Sequence, residues 1–284
     1  HAHGYLSGVK RTMTTNFGAR LGVDVIYALA DPGWITGQSY LLCGPLSAGV
    51  PAVFSTAAPN FPEPCRFATI IERYGVTIFK AGSTFLRMLV SNSHEVATIQ
   101  YSSVATLTIA TFCAEPVSTS VHATAAKLLT PRYINSYWAT EHGGMVWSSP
   151  LPPTIALPDT TALEQPWIFG DASSRSGCYV PENLGGKGDV FLLKPYPYLV
   201  NTLWHLQDKR HTPVLFAGDV KRLLSTYISS RPWSFVQGDY CCRRGDNSFT
   251  FHGRSDEVIN VSGNRIGTEE IEGIILKAAQ HDTT

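Results

Sequence analysis

Short apolar runs alternate with helix-like stretches through the first half of the chain, and this alternation constrains the fold more than any other feature. Asp24-Val25-Ile26-Tyr27-Ala28-Leu29-Ala30 reads as a buried strand, followed by a helix over 38–48 and a strand over Pro51-Ala52-Val53-Phe54. In 65–74, Phe67, Ile70, Ile71 and Tyr74 recur at helical spacing. Val76-Thr77-Ile78-Phe79 is the next strand, and Ser83 is a good N-cap for a helix carrying Phe85, Leu86, Met88 and Leu89. A strand at 104–110, a helix at 117–129 and a strand at 132–137 complete the series. Such alternation implies crossovers and a largely parallel sheet covered on both faces, an α/β architecture. Ligands bind such sheets beyond the carboxyl ends of the strands. The loops 31–37, 80–84, 111–116 and 138–144 are therefore the places to look for a site.

From 150 to 187 the pattern gives way to sequence rich in Pro, Ser and Gly. Asp189-Val190-Phe191-Leu192-Leu193 and Phe249-Thr250-Phe251 then read as strands of a smaller, mixed or antiparallel layer. A last helix is expected from Thr268, a good N-cap, to Ala279, with Glu269 and Glu270 in the first turn where the helix dipole favours anions.

Composition excludes several classes. With 22 basic and 22 acidic residues the formal charge is zero, which argues against nucleic acid bound through a broad basic face. The charged fraction, 15%, lies below the ~25% usual for soluble domains, so a partner, a neighbouring domain or another segment is expected to cover part of the surface. None of the six cysteines forms a Cys-x-x-Cys pair, and no Cys/His grouping has zinc-ligand spacing. Free thiols in a reducing compartment are expected. No apolar run approaches the ~18 residues of a membrane span, and no signal peptide heads the chain. The chain opens on His1-Ala2-His3 without a methionine. The expectation is that the true start lies upstream, and that the protein works in the cytoplasm or an organelle lumen.

Two segments carry chemistry. In Tyr133-Ile134-Asn135-Ser136-Tyr137-Trp138-Ala139-Thr140-Glu141-His142-Gly143-Gly144 a buried strand runs into a hydroxyl, a carboxylate, an imidazole and two glycines. Such a segment can put a hydroxyl near a phosphate and a carboxylate near Mg²⁺, with backbone close to the ligand; an ordinary strand-to-loop turn is the alternative. The second segment runs from Gly253-Arg254-Ser255-Asp256-Glu257 through Ser262-Gly263-Asn264-Arg265-Ile266 to Glu272. Arginine clamps phosphate or ribose oxygens through its paired donors. Arg254 and Asp256 could equally form a surface ion pair, worth at most ~1 kcal/mol.

Together the two segments resemble the adenylate-forming superfamily of acyl-CoA synthetases, luciferases and peptide-synthetase adenylation domains. Tyr-Trp-x-Thr-Glu-x-Gly-Gly at 137–144 is similar to its adenylate-binding motif, and the run 253–272 to its hinge motif. Asp31-Pro32-Gly33-Trp34-Ile35-Thr36-Gly37, Ala114-Glu115-Pro116 and Gly238-Asp239 follow in the family's order, closest to acetyl- and propionyl-CoA synthetases. The resemblance implies the adenylate-forming fold: a large domain over 1–255 with parallel sheets flanked by helices and a smaller mixed β layer. Residues 256–284 would be the hinge and the start of a small C-terminal domain.

The implied activity is AMP-forming ligation of a short-chain acid, acetate or propionate-like, to coenzyme A, with ATP, Mg²⁺ and coenzyme A taking part. By resemblance, Ala114, Glu115, Pro116, Asn135, Ser136 and Tyr137 surround the nucleotide, and Asp239 accepts from the ribose hydroxyls. Thr140 contacts the α-phosphate, Glu141 supports Mg²⁺, and Arg254 and Arg265 reach ribose and phosphate. Ile35, Thr36, Cys113 and Trp138 close the acyl pocket, the indole leaving room for two or three carbons. Asp256 is the hinge, and Ser262 and Gly263 face coenzyme A after rotation. Two alternatives accompany this reading: an adenylate-binding module without turnover, and the synthetase part of a multifunctional propionyl-CoA synthase-type protein with flanking domains.

The chain departs from the family pattern in places. The phosphate loop expected before His1 and the catalytic lysine expected beyond Thr284 are not in it, so the chain alone is expected to show no turnover. Gly185-Gly186-Lys187-Gly188 reads as a turn and does not replace that loop. Asn135, Ala139 and His142 stand where acetyl-CoA synthetases usually have Asp, Gln and Thr. His142 either reports a different acid or caps the loop. His1 and His3 read as a loop rather than a metal pair.

Overall fold

The computed structural model describes residues 2–63, 65–91, 101–113, 115–148, 162–173, 186–203, 218–228, 234–257, 259–261, 264–266, 268, 271, 272, 274, 275 and 278. Seven strands form the main sheet: β1 (Ile26–Ala28), β2 (Ala52–Val53), β3 (Ile78–Gly82), β4 (Ile109–Cys113), β5 (Tyr133–Tyr137), β6 (Trp147–Ser148) and β7 (Leu163–Glu164). Their order is β2-β1-β3-β4-β5-β6-β7, parallel from β2 to β5 and antiparallel from β5 to β7. The expected α/β architecture is present, and β1, β2, β3 and β5 fall on runs picked out above.

Helices cover both faces because successive strand residues point to opposite sides. Tyr27, Phe79, Ala81, Ala110, Phe112 and Tyr133 point one way, into a core with α4 (Arg66–Tyr74), α5 (Ser83–Ser91) and α7 (Thr119–Leu128). Ile26, Ala28, Ile78, Ile109, Cys113 and Ile134 point the other way. They meet α1 (Ala2–Arg11) with its π-helical extension Thr12–Asn16, and the run of α2 (Ile35–Gly37), a π segment Gln38–Cys43 and α3 (Gly44–Ala48). In α4 the helical spacing buries Phe67, Ala68 and Ile71, while Tyr74 stays exposed at the helix end. Each buried Phe or Ile contributes roughly 1.5–3 kcal/mol. The Ser118 hydroxyl accepts from the Val121 N–H and caps α7.

The strand expected over 104–110 is displaced. Residues Tyr101–Val104 form one helical turn, α6, and β4 begins at Ile109. Val104 and Leu107 are buried, but they plug the core from the connection, and the continuously buried run 109–113 makes the strand. The helix expected over 38–48 starts earlier, at Ile35, so part of the loop 31–37 is helical. Likewise β3 and β4 run to Gly82 and Cys113, into the loops expected at 80–84 and 111–116.

A second, antiparallel sheet has the order β11-β10-β9-β8: β8 (Gly170–Ser173), β9 (Lys187–Leu192), β10 (Phe235–Arg243) and β11 (Phe249–Arg254). It shares a core with β6 through Val146, Trp147, Val190, Leu192, Phe235 and Phe249. Between β9 and β10 in sequence lies α8 (Val220–Leu223), started by the Asp219 side chain and running on as a π-helical turn, Leu224–Ile228. A hairpin of β12 (Ile259–Val261) and β13 (Asn264–Ile266) follows β11. Of the expected last helix, Thr268, Ile271, Glu272, Ile274, Ile275 and Ala278 are helical; Glu269 and Glu270 lie outside the described residues, as does most of 150–187.

Candidate functional site

The carboxyl ends of β4 and β5 meet the middle of β10 and the end of β11. Glu115, Pro116, Asn135, Ser136, Tyr137 and Asp239 line one small cavity there, joined by Phe251 and Gly253. Six residues expected around a nucleotide, from three separate stretches of sequence, thus converge. Ala114 lies outside the described residues. The cavity holds about 30 Å³, the share of a single water molecule in the liquid (about 30 Å³) and too little for a purine. The Tyr137 ring forms one of its walls, stacked on Phe251 with centroids 3.8 Å apart and planes 4° from parallel. Its hydroxyl donates to Asp239 Oδ2. Burial pushes the Tyr137 phenol well above its ordinary range, and Asp239 raises it further. Burial also raises the Asp239 carboxyl, against the opposing effects of Tyr137 and Arg254.

An irregularity in β10 sets this geometry. The register of β10 shifts between Val236 and Tyr240, and Gly238 sits there with φ +83°. A Cβ on Gly238 would lie 3.0 Å from Arg254 Nη2, so glycine supplies both the left-handed backbone and room for the guanidinium. Arg254 Nη1 donates to the Gln237 carbonyl at 2.9 Å and lies 3.6 Å from Asp239 Oδ1. Its Nε donates to Asp256 Oδ1 at 3.3 Å. The Arg254–Asp256 ion pair considered above therefore exists, with Asp256 73% exposed, but Arg254 also faces the Asp239 carboxylate.

The loop after β5 carries the remaining polar groups. His142 Nδ1 accepts from the Ala139 N–H at 3.0 Å, so the imidazole caps the turn Thr140–His142. The ring is fully buried, and burial pushes its pKa down to about 3. Gly143 closes the turn with φ +68°, and a Cβ there would meet the Tyr198 carbonyl oxygen at 2.2 Å. Thr140 is exposed and Glu141 half-buried, and both line a cavity of about 670 Å³ with His3, Tyr5, Ile35 and Gln38. Glu141 Oε1 accepts from Tyr227 Oη at 2.5 Å, and Oε2 from Gln237 Nε2 at 3.1 Å. Burial, with Glu141 adding to it, pushes the Tyr227 phenol up to about 12.

Beneath this cavity, Trp138 and Cys113 share one apolar cluster with Tyr40, against which Ile35 packs; Trp138 meets the Tyr40 ring edge-on at 5.4 Å. Thr36, next along the chain, is half-buried. Lys80 on β3, not anticipated from sequence, is fully buried on the same side of the sheet, its Nζ 4.8 Å from the Tyr40 ring centroid. Burial lowers its proton affinity. Glu115 pairs with Arg87 at 2.6 Å, and Arg87 also reaches Glu272 at 3.3 Å. Arg265 belongs to β13, paired with Asn260; its side chain, like Ser262 and Gly263 entirely, lies outside the described residues.

Comparison with known proteins places the chain in a family. A family model described as AMP-binding enzyme matches residues 1–166. The acetyl-coenzyme A synthetase of Pyrobaculum aerophilum is 34% identical over 260 residues, covering 89% of this chain and 36% of the relative. That of Caulobacter vibrioides is 30% identical over 278 residues, covering 96% of this chain and 40% of the relative. The chain thus spans well under half the length of these curated relatives. With the family match over more than half its length, the chain belongs to the AMP-binding enzyme family.

Proposed function

We propose that this chain forms the nucleotide and acyl pockets of a ligase that uses ATP to join a short-chain carboxylic acid to coenzyme A. The observation that carries the reading is the convergence of Glu115, Tyr137 and Asp239 on one cavity beside the Thr140–Glu141 turn. The acid's carboxylate oxygen attacks the α-phosphorus of ATP, pyrophosphate leaves, and an acyl-adenylate forms. The coenzyme A thiol then attacks the acyl carbon, loses its proton and releases AMP. No protein nucleophile is needed, and positioning with electrostatics supplies most of the catalysis.

In this reading adenine enters beside Glu115–Pro116 when the Tyr137 ring leaves Phe251, which also frees Asp239 for the ribose hydroxyls. Thr140 donates to the α-phosphate, with Arg254 and Arg265 on the phosphate and ribose side. Trp138 and Cys113 floor the acyl pocket and Ile35 and Thr36 wall it, which suits two or three carbons. Residues 1–255 act as the large domain, Asp256 as the hinge, and Ser262 and Gly263 as part of the coenzyme A side.

A magnesium ion fits the residues present. Among the described residues no group of three or more His, Cys, Asp or Glu exists. A single carboxylate, Glu141, beside an open cavity matches a cation that keeps several waters and binds substrate phosphates. Bound there, it would neutralise charge on the departing pyrophosphate. Among the described residues no helix is long and apolar enough to cross a membrane, and the substrates proposed are small molecules met in the cytoplasm or an organelle lumen.

The test is exchange of labelled pyrophosphate into ATP by the full-length polypeptide carrying this chain. Exchange that requires acetate or propionate is expected. Adenylate binding with no acid-dependent exchange would overturn the enzymatic reading and leave a binding module.

A further inference from the structure

We propose that Tyr227 and Gln237 are positioning residues that hold the Glu141 carboxylate ready for a divalent cation, an inference that rests on the adenylate-forming reading above. Glu141 receives three hydrogen bonds from outside its own turn. Tyr227 Oη binds Oε1 at 2.5 Å, Gln237 Nε2 binds Oε2 at 3.1 Å, and the Val200 N–H binds the main-chain carbonyl at 2.8 Å. All three donors are neutral, and among the described residues no Lys, Arg or His forms an ion pair with Glu141. A guanidinium or ammonium in their place would cancel the carboxylate charge. Neutral donors fix its orientation and leave the charge for a cation.

Capacity remains for that cation. An ionised carboxylate offers about four lone-pair directions, so two side-chain donors leave an acceptor site on each oxygen. Glu141 and Thr140 both line the adjoining cavity of about 670 Å³. Carboxylates that ligate metals are commonly oriented by such outer hydrogen bonds, whose loss weakens metal binding about 10–100-fold.

The clamp is itself held rigidly. The Tyr227 ring stacks on Phe235 at 5.1 Å with planes 6° apart, and Phe235 packs edge-on against His142 at 5.8 Å. The tyrosine is therefore oriented by the neighbour of the residue it holds. Gln237 is fixed through its own carbonyl, which accepts from Arg254 Nη1 at 2.9 Å. That contact ties Glu141 to the end of β11, two residues before Asp256. Tyr227 comes from a short turn after α8, and no motif marks it in the sequence.

The experiment uses the full-length polypeptide with a non-hydrolysable ATP analogue and Mn²⁺ as the probe, free and bound ion being counted by electron paramagnetic resonance. Tyr227→Phe keeps the ring stack and removes the donor; Gln237→Leu removes the other donor. Each is expected to weaken Mn²⁺ binding about 10-fold, while coenzyme A transfer from supplied acyl-adenylate proceeds at the parent rate. If one variant fails to accumulate, the other decides. Affinity within roughly twofold of the parent would overturn the proposal, since an outer hydrogen bond of this kind should change it more. An equal fall in both half-reactions would also overturn it, because that marks general structural damage. Glu141→Gln separates the causes: unchanged Mn²⁺ binding there removes the metal role of Glu141 and the clamp with it, whereas a loss confined to Glu141→Gln removes the clamp alone.

Discussion

Acid should destabilise this fold through His142. The imidazole is fully buried, accepts from Ala139 N–H through Nδ1, and has no partner at Nε2 among the described residues. It is held neutral, with its pKa pushed from 6.5 to about 3 by burial alone. Because the folded value lies below the unfolded one, the unfolded chain takes up the proton first as pH falls. The stability His142 allows is complete above pH 6.5 and is lost progressively between 6.5 and about 3. At pH 5, about 1.5 units below the unfolded value, the loss is about 2 kcal/mol at ~1.4 kcal/mol per unit. His142→Asn keeps an acceptor for Ala139 but cannot ionise. Urea unfolding of both proteins at pH 7.5 and pH 5 should show the parent losing about 2 kcal/mol more than the variant. Equal losses would refute the reasoning, because the ring would then be solvated or already charged in the fold.

Two further substitutions probe the site. Gly238→Ala should cost about 1–3 kcal/mol from the positive φ and displace Arg254; thermal melting measures the first, and calorimetry with AMP should show weaker binding. Trp138→Gly removes a buried indole at a cost of about 3–5 kcal/mol and should shift acid-dependent pyrophosphate exchange in the full-length polypeptide toward longer acids. If acetate and propionate stay preferred, the acyl-pocket assignment is wrong.

The parallel core was legible because its strands are short, mostly apolar runs and its helices keep a 3.6-residue period. Val104 and Leu107 misled because burial alone does not distinguish a strand from a plugged connection. Residues 135–137, Glu115 and Asp239, singled out by the family resemblance rather than by any local pattern, do meet at one cavity. Tyr227, Gln237, Phe251 and Lys80 were not legible. For the first three, the contacts arise only when β10, β11 and the turn after α8 are brought against the end of β5, and a lone aromatic or amide carries no periodic signal; Lys80 sits in a β3 run that reads as an ordinary strand. The stacking of Tyr137 on Phe251 was equally invisible, since Phe251 lies 114 positions away in sequence.

The central claim is that the ends of β4 and β5, with β10, form an adenylate site. The most direct test is a crystal structure with a short-chain acyl-sulfamoyl adenylate. The account predicts Tyr137 moved off Phe251, adenine beside Glu115–Pro116, ribose on Asp239 and the acyl group toward Trp138. Analogue bound elsewhere, with Tyr137 still stacked on Phe251 and bonded to Asp239, would contradict it.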